Sequence, residues 1–217
     1  MDDARAAVSS TGGAAQDRVR EYIGVGSVVD WILDRKLKDL AYYYDPNRRI
    51  RGRDGQMKQA RRVLMDELTN VLLPLKGRRL MLIAHSMGTI ISYDVLRDLG
   101  RRDRDFPVHH YVTIGAPMVM PHVKANIHRA RSYSRDAVRT PTVVTERWVN
   151  YADRRDPVAI DTHLRDDFGP NDAGVQVEDD MVINDYVGPK GERDSHKSYG
   201  YLRTPELSEH IRGFLGA

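Results

Sequence analysis

The chain contains no cysteine. Disulfides, thiol nucleophiles and thiolate metal sites are therefore excluded, and the redox compartment is left undetermined. No apolar run approaches the ~18 residues needed to cross a bilayer. The amino terminus, Met1-Asp2-Asp3-Ala4, is acidic and rich in small residues. It lacks the basic-then-apolar order of a secretory signal, so a cytoplasmic location is the default expectation. Zinc-finger spacing, an RNP-type aromatic motif and a long basic helix are also missing, and no nucleic-acid partner is expected.

What is present is a balanced excess of charge. Lys and Arg number 34 against 31 Asp and Glu, for a net charge of +3. Most arginines alternate with acids, as in Arg101-Arg102-Asp103-Arg104-Asp105 and Asp153-Arg154-Arg155-Asp156. Such mixtures mark solvated loops and faces rather than a phosphate-binding stripe. With 41% hydrophobic and 30% charged residues and no break in composition, the 217 residues read as a single globular domain, 1–217.

Residues 1–16 are small and polar and are expected to be disordered. Apolar positions from Val19 to Tyr44 recur at helical period, with Gly24 and Gly26 weakening the first turns and a firmer helix expected from Ser27. Gln56 to Leu73 reads as an amphipathic helix closed by Pro74 and Gly77. Arg79 to Ile83 reads as a buried strand, and Thr89 to Leu99 as a helix stopping at Gly100. His110 to Ile114 and Glu146 to Tyr151 are further strands, a fourth falls within 175–183, and Thr204-Pro205 opens a closing helix. Residues 118–141 show no strand pattern and read as an insertion or lid. Met118, Val119, Met120, Val123 and Ile127 would form either an apolar cap over a ligand or the buried side of a packed helix. Alternating strands and helices imply an α/β fold with a mainly parallel sheet covered on both faces. Ligands in such sheets bind at the carboxyl ends of the strands.

Between the first strand and its helix lies Ala84-His85-Ser86-Met87-Gly88. A small-x-Ser-x-Gly turn joining strand to helix is the context of a nucleophile elbow, which lifts the serine oxygen clear of the sheet. Small residues at Ala84 and Gly88 leave room for the tight turn. A serine hydroxyl needs a base within hydrogen-bond reach, and a histidine needs a carboxylate to fix its tautomer. In this architecture the chain order is Ser, acid, His.

That order sorts the eight histidines. His85 is expected to project away from Ser86 and pack under the sheet. His109 and His110 lie at a strand start, His122 and His128 in the insertion, and His210 on the final helix facing solvent. His196, in the loop before that helix, is the expected base, with His163 as its rival. For the acid, Asp153 and Asp156 both follow a strand terminus. Asp156 precedes Pro157, which holds it extended.

The ordered set Ala84-His85-Ser86-Met87-Gly88, Thr113-Ile114-Gly115-Ala116-Pro117, Trp148-Val149-Asn150 through Asp156-Pro157-Val158, and Ser195-His196-Lys197-Ser198-Tyr199 resembles α/β-hydrolase fold esterases and lipases, particularly the class 3 lipase-like and GPI inositol-deacylase-like branches. The resemblance runs from Leu80 to Leu215. It implies an acid in an Asp-x-Val element, which favours Asp156 over Asp153, and a base in a short loop before the last helix, which matches His196. It also implies an oxyanion donor at the Met87 N–H. One element departs: no His-Gly pair precedes Ser86 to supply the second donor. Either the first strands of the usual sheet are missing or another loop serves, with Gly24-Val25-Gly26-Ser27 a candidate.

The expected activity is cofactor-independent hydrolysis of a small-molecule ester or lipid by Ser86, His196 and Asp156, with no metal. Acyl transfer, thioester or amide cleavage on the same residues is the alternative, or a non-catalytic binding domain of the same fold.

Overall fold

The computed structural model describes residues 38–103, 105–129, 138–159 and 162–216. The expectations for residues 1–16, for a helix from Ser27 and for Gly24-Val25-Gly26-Ser27 lie outside them. Residues 38–44 are helical, and their inward face buries Leu40 and Tyr43. Asp45-Pro46 breaks this helix, and a small antiparallel hairpin succeeds it, β1 (Arg49–Arg51) with β2 (Met57–Gln59). Helix α1 therefore starts at Ala60 rather than Gln56 and runs to Leu72. The preceding residues are taken by the ladder, closed by a turn in which the Gly55 N–H bonds to the Gly52 carbonyl. Pro74 sits in a short 3-10 turn, Leu73–Leu75, that ends the helix.

The remainder alternates: β3 (Met81–His85), α2 (Met87–Arg102), β4 (Val108–Ile114), α3 (Pro121–Arg129), β5 (Val144–Ala152), β6 (Val177–Met181), α4 (Ser198–Leu202) and α5 (Pro205–Leu215). Helix α2 continues through Gly100 and stops at Asp103, whose N–H bonds to the Leu99 carbonyl. Glycine serves close approach there rather than termination, because a Cβ at residue 100 would run into Thr142 Oγ1.

Strands β3, β4, β5 and β6 form one parallel sheet in chain order. Among the described residues no strand pairs with the other edge of β3. Successive side chains alternate between its faces. Leu82, Ala84, Tyr111, Trp148 and Val177 join α2 and α3 in the larger core, where Trp148 packs 5.2 Å from Tyr111 and 5.1 Å from Phe168. Val112, Ile114, Val149 and Tyr151 point the other way, onto Tyr201 of α4 and Leu207 of α5. Fully burying one such aliphatic or aromatic side chain contributes about 1.5–3 kcal/mol. A sheet covered on both faces has no reason to alternate polar and apolar residues, and β4 accordingly buries Tyr111, Val112, Thr113 and Ile114 in succession. Register aligns the carboxyl ends of the strands: His85 pairs with Ile114, and Ile114 with Tyr151. The chain therefore leaves the sheet at Ser86, Gly115 and Asp153 along a single rim.

No described helix is long and apolar enough to cross a membrane.

Candidate active site

Ser86 joins β3 directly to α2 with φ 55° and ψ −131°, and among the described residues it is the one non-glycine with positive φ. A conformation of this kind costs about 1–3 kcal/mol and persists only where surrounding bonds enforce it. Here the Ser86 N–H donates to the Ile114 carbonyl at 3.2 Å, while the Ser86 carbonyl accepts from the Thr89 N–H at 2.9 Å and from Thr89 Oγ1 at 2.7 Å. The Met87 N–H, first in α2, is one of the helix's four intrinsically unpaired donors. Space does not select the glycine at residue 88, contrary to expectation: a Cβ there meets nothing within 4 Å.

Crowding falls instead at Gly115, just past β4. Its φ is +54°, and a Cβ would lie 2.7 Å from Asp156 Oδ2 and 3.2 Å from His196 Nδ1. The acid and base close over this bare backbone.

His196 Nε2 lies 2.9 Å from Ser86 Oγ. Its Nδ1 lies 2.9 Å from Asp156 Oδ2 and 3.0 Å from Oδ1. A carboxylate accepts, so the ring proton belongs on Nδ1, and the Nε2 lone pair faces the serine hydroxyl. All three residues are buried, Ser86 at 3%, Asp156 at 3% and His196 at 6% exposure. Asp156 Oδ1 also accepts from the N–H groups of Val158 (2.8 Å) and Ala159 (3.4 Å), a local turn that arises from Asp-Pro-Val. Tyr201 Oη donates to Asp156 Oδ2 at 2.8 Å.

The base loop is tied down from below and from the side. Asn184 Nδ2 donates to the carbonyls of Ser195 (2.7 Å) and Lys197 (2.9 Å), and His85 Nε2 donates to the His196 carbonyl at 2.7 Å. The His85 ring lies 4.6 Å from the His196 ring, so this residue does not project away from the site but supports its base. Gly200 is bare for a similar reason, since a Cβ would collide with Asn184 Oδ1.

The rival candidates sit elsewhere. Asp153 accepts from the Arg155 side chain at 2.6 and 3.0 Å and from the Asn184 N–H at 2.6 Å, which places it in the wall behind the acid. Burial works to raise its pKa, but the hydrogen bonds from Arg155 and Asn184 outweigh that and hold the carboxyl below the usual range. His163 is exposed, with Nδ1 3.2 Å from Thr162 Oγ1. His210 is buried rather than solvent-facing, because α5 turns that side toward β4 and β5. Met118, Val119, Met120, Val123 and Ile127 are all buried in the larger core cluster, as the packed side of a helix and its lead-in.

Sequence reasoning missed Tyr201, Asn184 and the contact role of His85. Gly115 carried a visible signal, a Gly-Ala-Pro directly after a buried strand, while Tyr201 and Asn184 carried none beyond their nearness to His196. A groove of about 360 Å³ between α1 and α2 has none of these residues in its wall; Arg61, Asp94 and Asp98 line it. Among the described residues no group of three or more His, Asp or Glu is placed to hold a metal.

No family model, no curated protein and no solved structure matches the chain.

Proposed function

We propose that the protein is a cofactor-independent serine hydrolase of the α/β-hydrolase type that cleaves carboxylic esters, of lipids or smaller molecules, through an acyl-enzyme. The observation that carries this reading is the 2.9 Å approach of His196 Nε2 to Ser86 Oγ on a strained strand-helix turn, with Asp156 behind the ring. As Ser86 Oγ bonds to the acyl carbon, its proton passes to Nε2, and Asp156 stabilises the imidazolium. The carbonyl oxygen gains charge beside the Met87 N–H at the positive end of α2. Collapse of the tetrahedral species breaks the bond to the alcohol, which leaves with the Nε2 proton. Water then repeats the sequence, with His196 as base, and frees the acid and Ser86.

Transfer of the acyl group from Ser86 to an alcohol rather than to water would use the same three residues in the same roles. An added alcohol that diverts the product from acid to ester separates transferase from hydrolase.

A fluorophosphonate probe tests the central claim. Labelling at Ser86 in the native protein, absent in Ser86→Ala, together with hydrolysis of p-nitrophenyl butyrate that falls about 10⁶-fold in that variant, is the expected result. A folded protein that takes no label is instead a non-catalytic binding domain.

A further inference from the structure

We infer that Tyr201 is a positioning residue for the acid of the site, holding the Asp156 carboxylate in the plane that serves His196. This rests on the serine-hydrolase reading and extends it. Tyr201 is fully buried, five residues beyond His196 on the short helix α4. Its hydroxyl has two described partners, the Asp153 N–H at 3.1 Å and Asp156 Oδ2 at 2.8 Å. A backbone N–H can only donate, so the phenol oxygen accepts from Asp153 and its proton goes to Asp156. The direction of both bonds is thereby forced.

The two carboxylate oxygens are held by different parts of the chain. Oδ1 takes the Val158 and Ala159 N–H groups, from the acid's own loop. Oδ2 takes Tyr201, from the segment that carries the base. One hydroxyl therefore links the first residue of the acid loop, the carboxylate and the helix beyond His196. The ring packs in one buried cluster with Val112, Ile114, Val149 and Leu207, and a Cβ at Gly115 would lie 3.2 Å from its Cε2. Burial first, and then the neighbouring Asp156 charge, push the phenol's pKa far above its ordinary value, so it remains a donor throughout the working range.

Without the hydroxyl, Oδ2 keeps, among the described residues, only the imidazole, and the buried Asp153 N–H loses this acceptor. The carboxylate is then free to rotate, and a displacement of about 1 Å in such a site costs on the order of 100-fold in rate. The bond also draws charge out of the carboxylate. Removing it leaves Asp156 a stronger partner for the imidazolium, so the low-pH limb of kcat/KM moves to higher pH.

The test compares wild type, Tyr201→Phe and a protein with 3-fluorotyrosine installed at residue 201, in p-nitrophenyl butyrate turnover per fluorophosphonate-titrated site. Phenylalanine is expected to lower kcat about 10- to 100-fold with KM within about twofold, and to raise the low-pH limb. Fluorotyrosine, a stronger donor of the same shape, is expected to move that limb down. A ring needed for packing alone would change the melting temperature and the number of titratable sites but neither kcat per site nor the limb, and that result overturns the inference. Should the phenylalanine protein fail to fold, an unmoved limb in the fluorotyrosine protein overturns it equally. Wild type that takes no label defeats the hydrolase reading and this one with it, whereas labelled wild type with indifferent variants defeats this one alone.

Discussion

His110 Nδ1 lies 2.7 Å from His210 Nε2, joining β4 to α5 at the end of the sheet opposite the rim. The chain of contacts extends both ways, from His110 Nε2 to Glu146 Oε2 at 3.1 Å and from His210 Nδ1 to Tyr151 Oη at 3.0 Å. Only one proton arrangement satisfies every link with neutral rings: Tyr151 donates to His210, His210 to His110, and His110 to Glu146. Phe214 packs 4.8 Å from His110, and Arg147 and Glu178 supply the nearby charge.

Acid is therefore expected to loosen α5. Burial, then the Arg147 and His110 charges, lower the pKa of His210 to about 4, and burial also lowers that of His110 against the pull of Glu146. Unfolded histidines take up protons near 6.5 while the folded pair does not, so the folded state binds fewer protons. The stability from this pair is complete above roughly pH 6.5 and is lost as pH falls toward about 4. Melting temperatures between pH 7.5 and 4.5 check this. The decline in wild type should exceed that in His210→Gln; equal slopes mean the pair is not responsible.

The two aspartates after β5 should separate cleanly. Asp156→Asn is expected to cost about 10⁴ in kcat through the wrong imidazole tautomer, with little change in melting temperature. Asp153→Asn should do the reverse, because its carboxylate binds Arg155 and the Asn184 N–H rather than the base. Its cost is about 1–3 kcal/mol of stability, with kcat largely retained. Turnover and thermal melts on both variants decide between them, and a large kcat loss confined to Asp153→Asn reverses the assignment.

Whether a feature is legible in the sequence depends on whether its cause is local. The strands at 110–114 and 146–151 are rich in β-branched and aromatic residues (Tyr111, Val112, Thr113, Ile114; Trp148, Val149, Tyr151), a local property, and they appear within β4 and β5. The hairpin β1–β2 is Arg-Ile-Arg against Met-Lys-Gln, too short and too polar to carry a period of its own. The helical pattern of α1 therefore reads, on sequence alone, as reaching back across β2 to Gln56. Strand β6, Val-Glu-Asp-Asp-Met, is locatable only to a window for the same reason. The meeting of Ser86, Asp156 and His196 depends on chain order plus the common rim, both legible. The positions of Tyr201 and His210 depend on which face of α4 and α5 docks, and the role of His85 on the His196 loop coming to rest against the end of β3; tertiary packing decides both.

Gly115→Ala should abolish turnover without unfolding the sheet. A methyl group at φ +54° is strained, and it would lie 2.7 Å from Asp156 Oδ2 and 3.2 Å from the Tyr201 ring. The carboxylate must move, and with it the imidazole. The expected outcome is a kcat loss of at least about 100-fold with a melting temperature lowered by several degrees, on the order of 1–2 kcal/mol. Near-normal kcat would show that the loop relaxes at no cost to the geometry.

Residues 38–44 meet α1 and α2 at one buried carboxylate as well as through the apolar contacts of Leu40 and Tyr43. Asp94, on α2, is 5% exposed and accepts on one oxygen from Tyr43 Oη (2.7 Å), Arg61 Nε (3.2 Å) and Arg61 Nη2 (2.9 Å). Three donors on one buried carboxylate tie the described start of the chain to α1 and α2. Tyr43→Phe leaves Asp94 paired with Arg61 and should cost only about 0.5–1.5 kcal/mol. Asp94→Ala takes the partner from Arg61, whose side chain still reaches solvent, and leaves the buried Tyr43 hydroxyl unpaired, and should cost about 1–3 kcal/mol. The double variant should cost less than the sum, with a coupling of about 0.5–3 kcal/mol measured by urea unfolding. Additive losses would mean that Tyr43 holds its place by the apolar contacts of its ring, and that the hydroxyl contributes nothing.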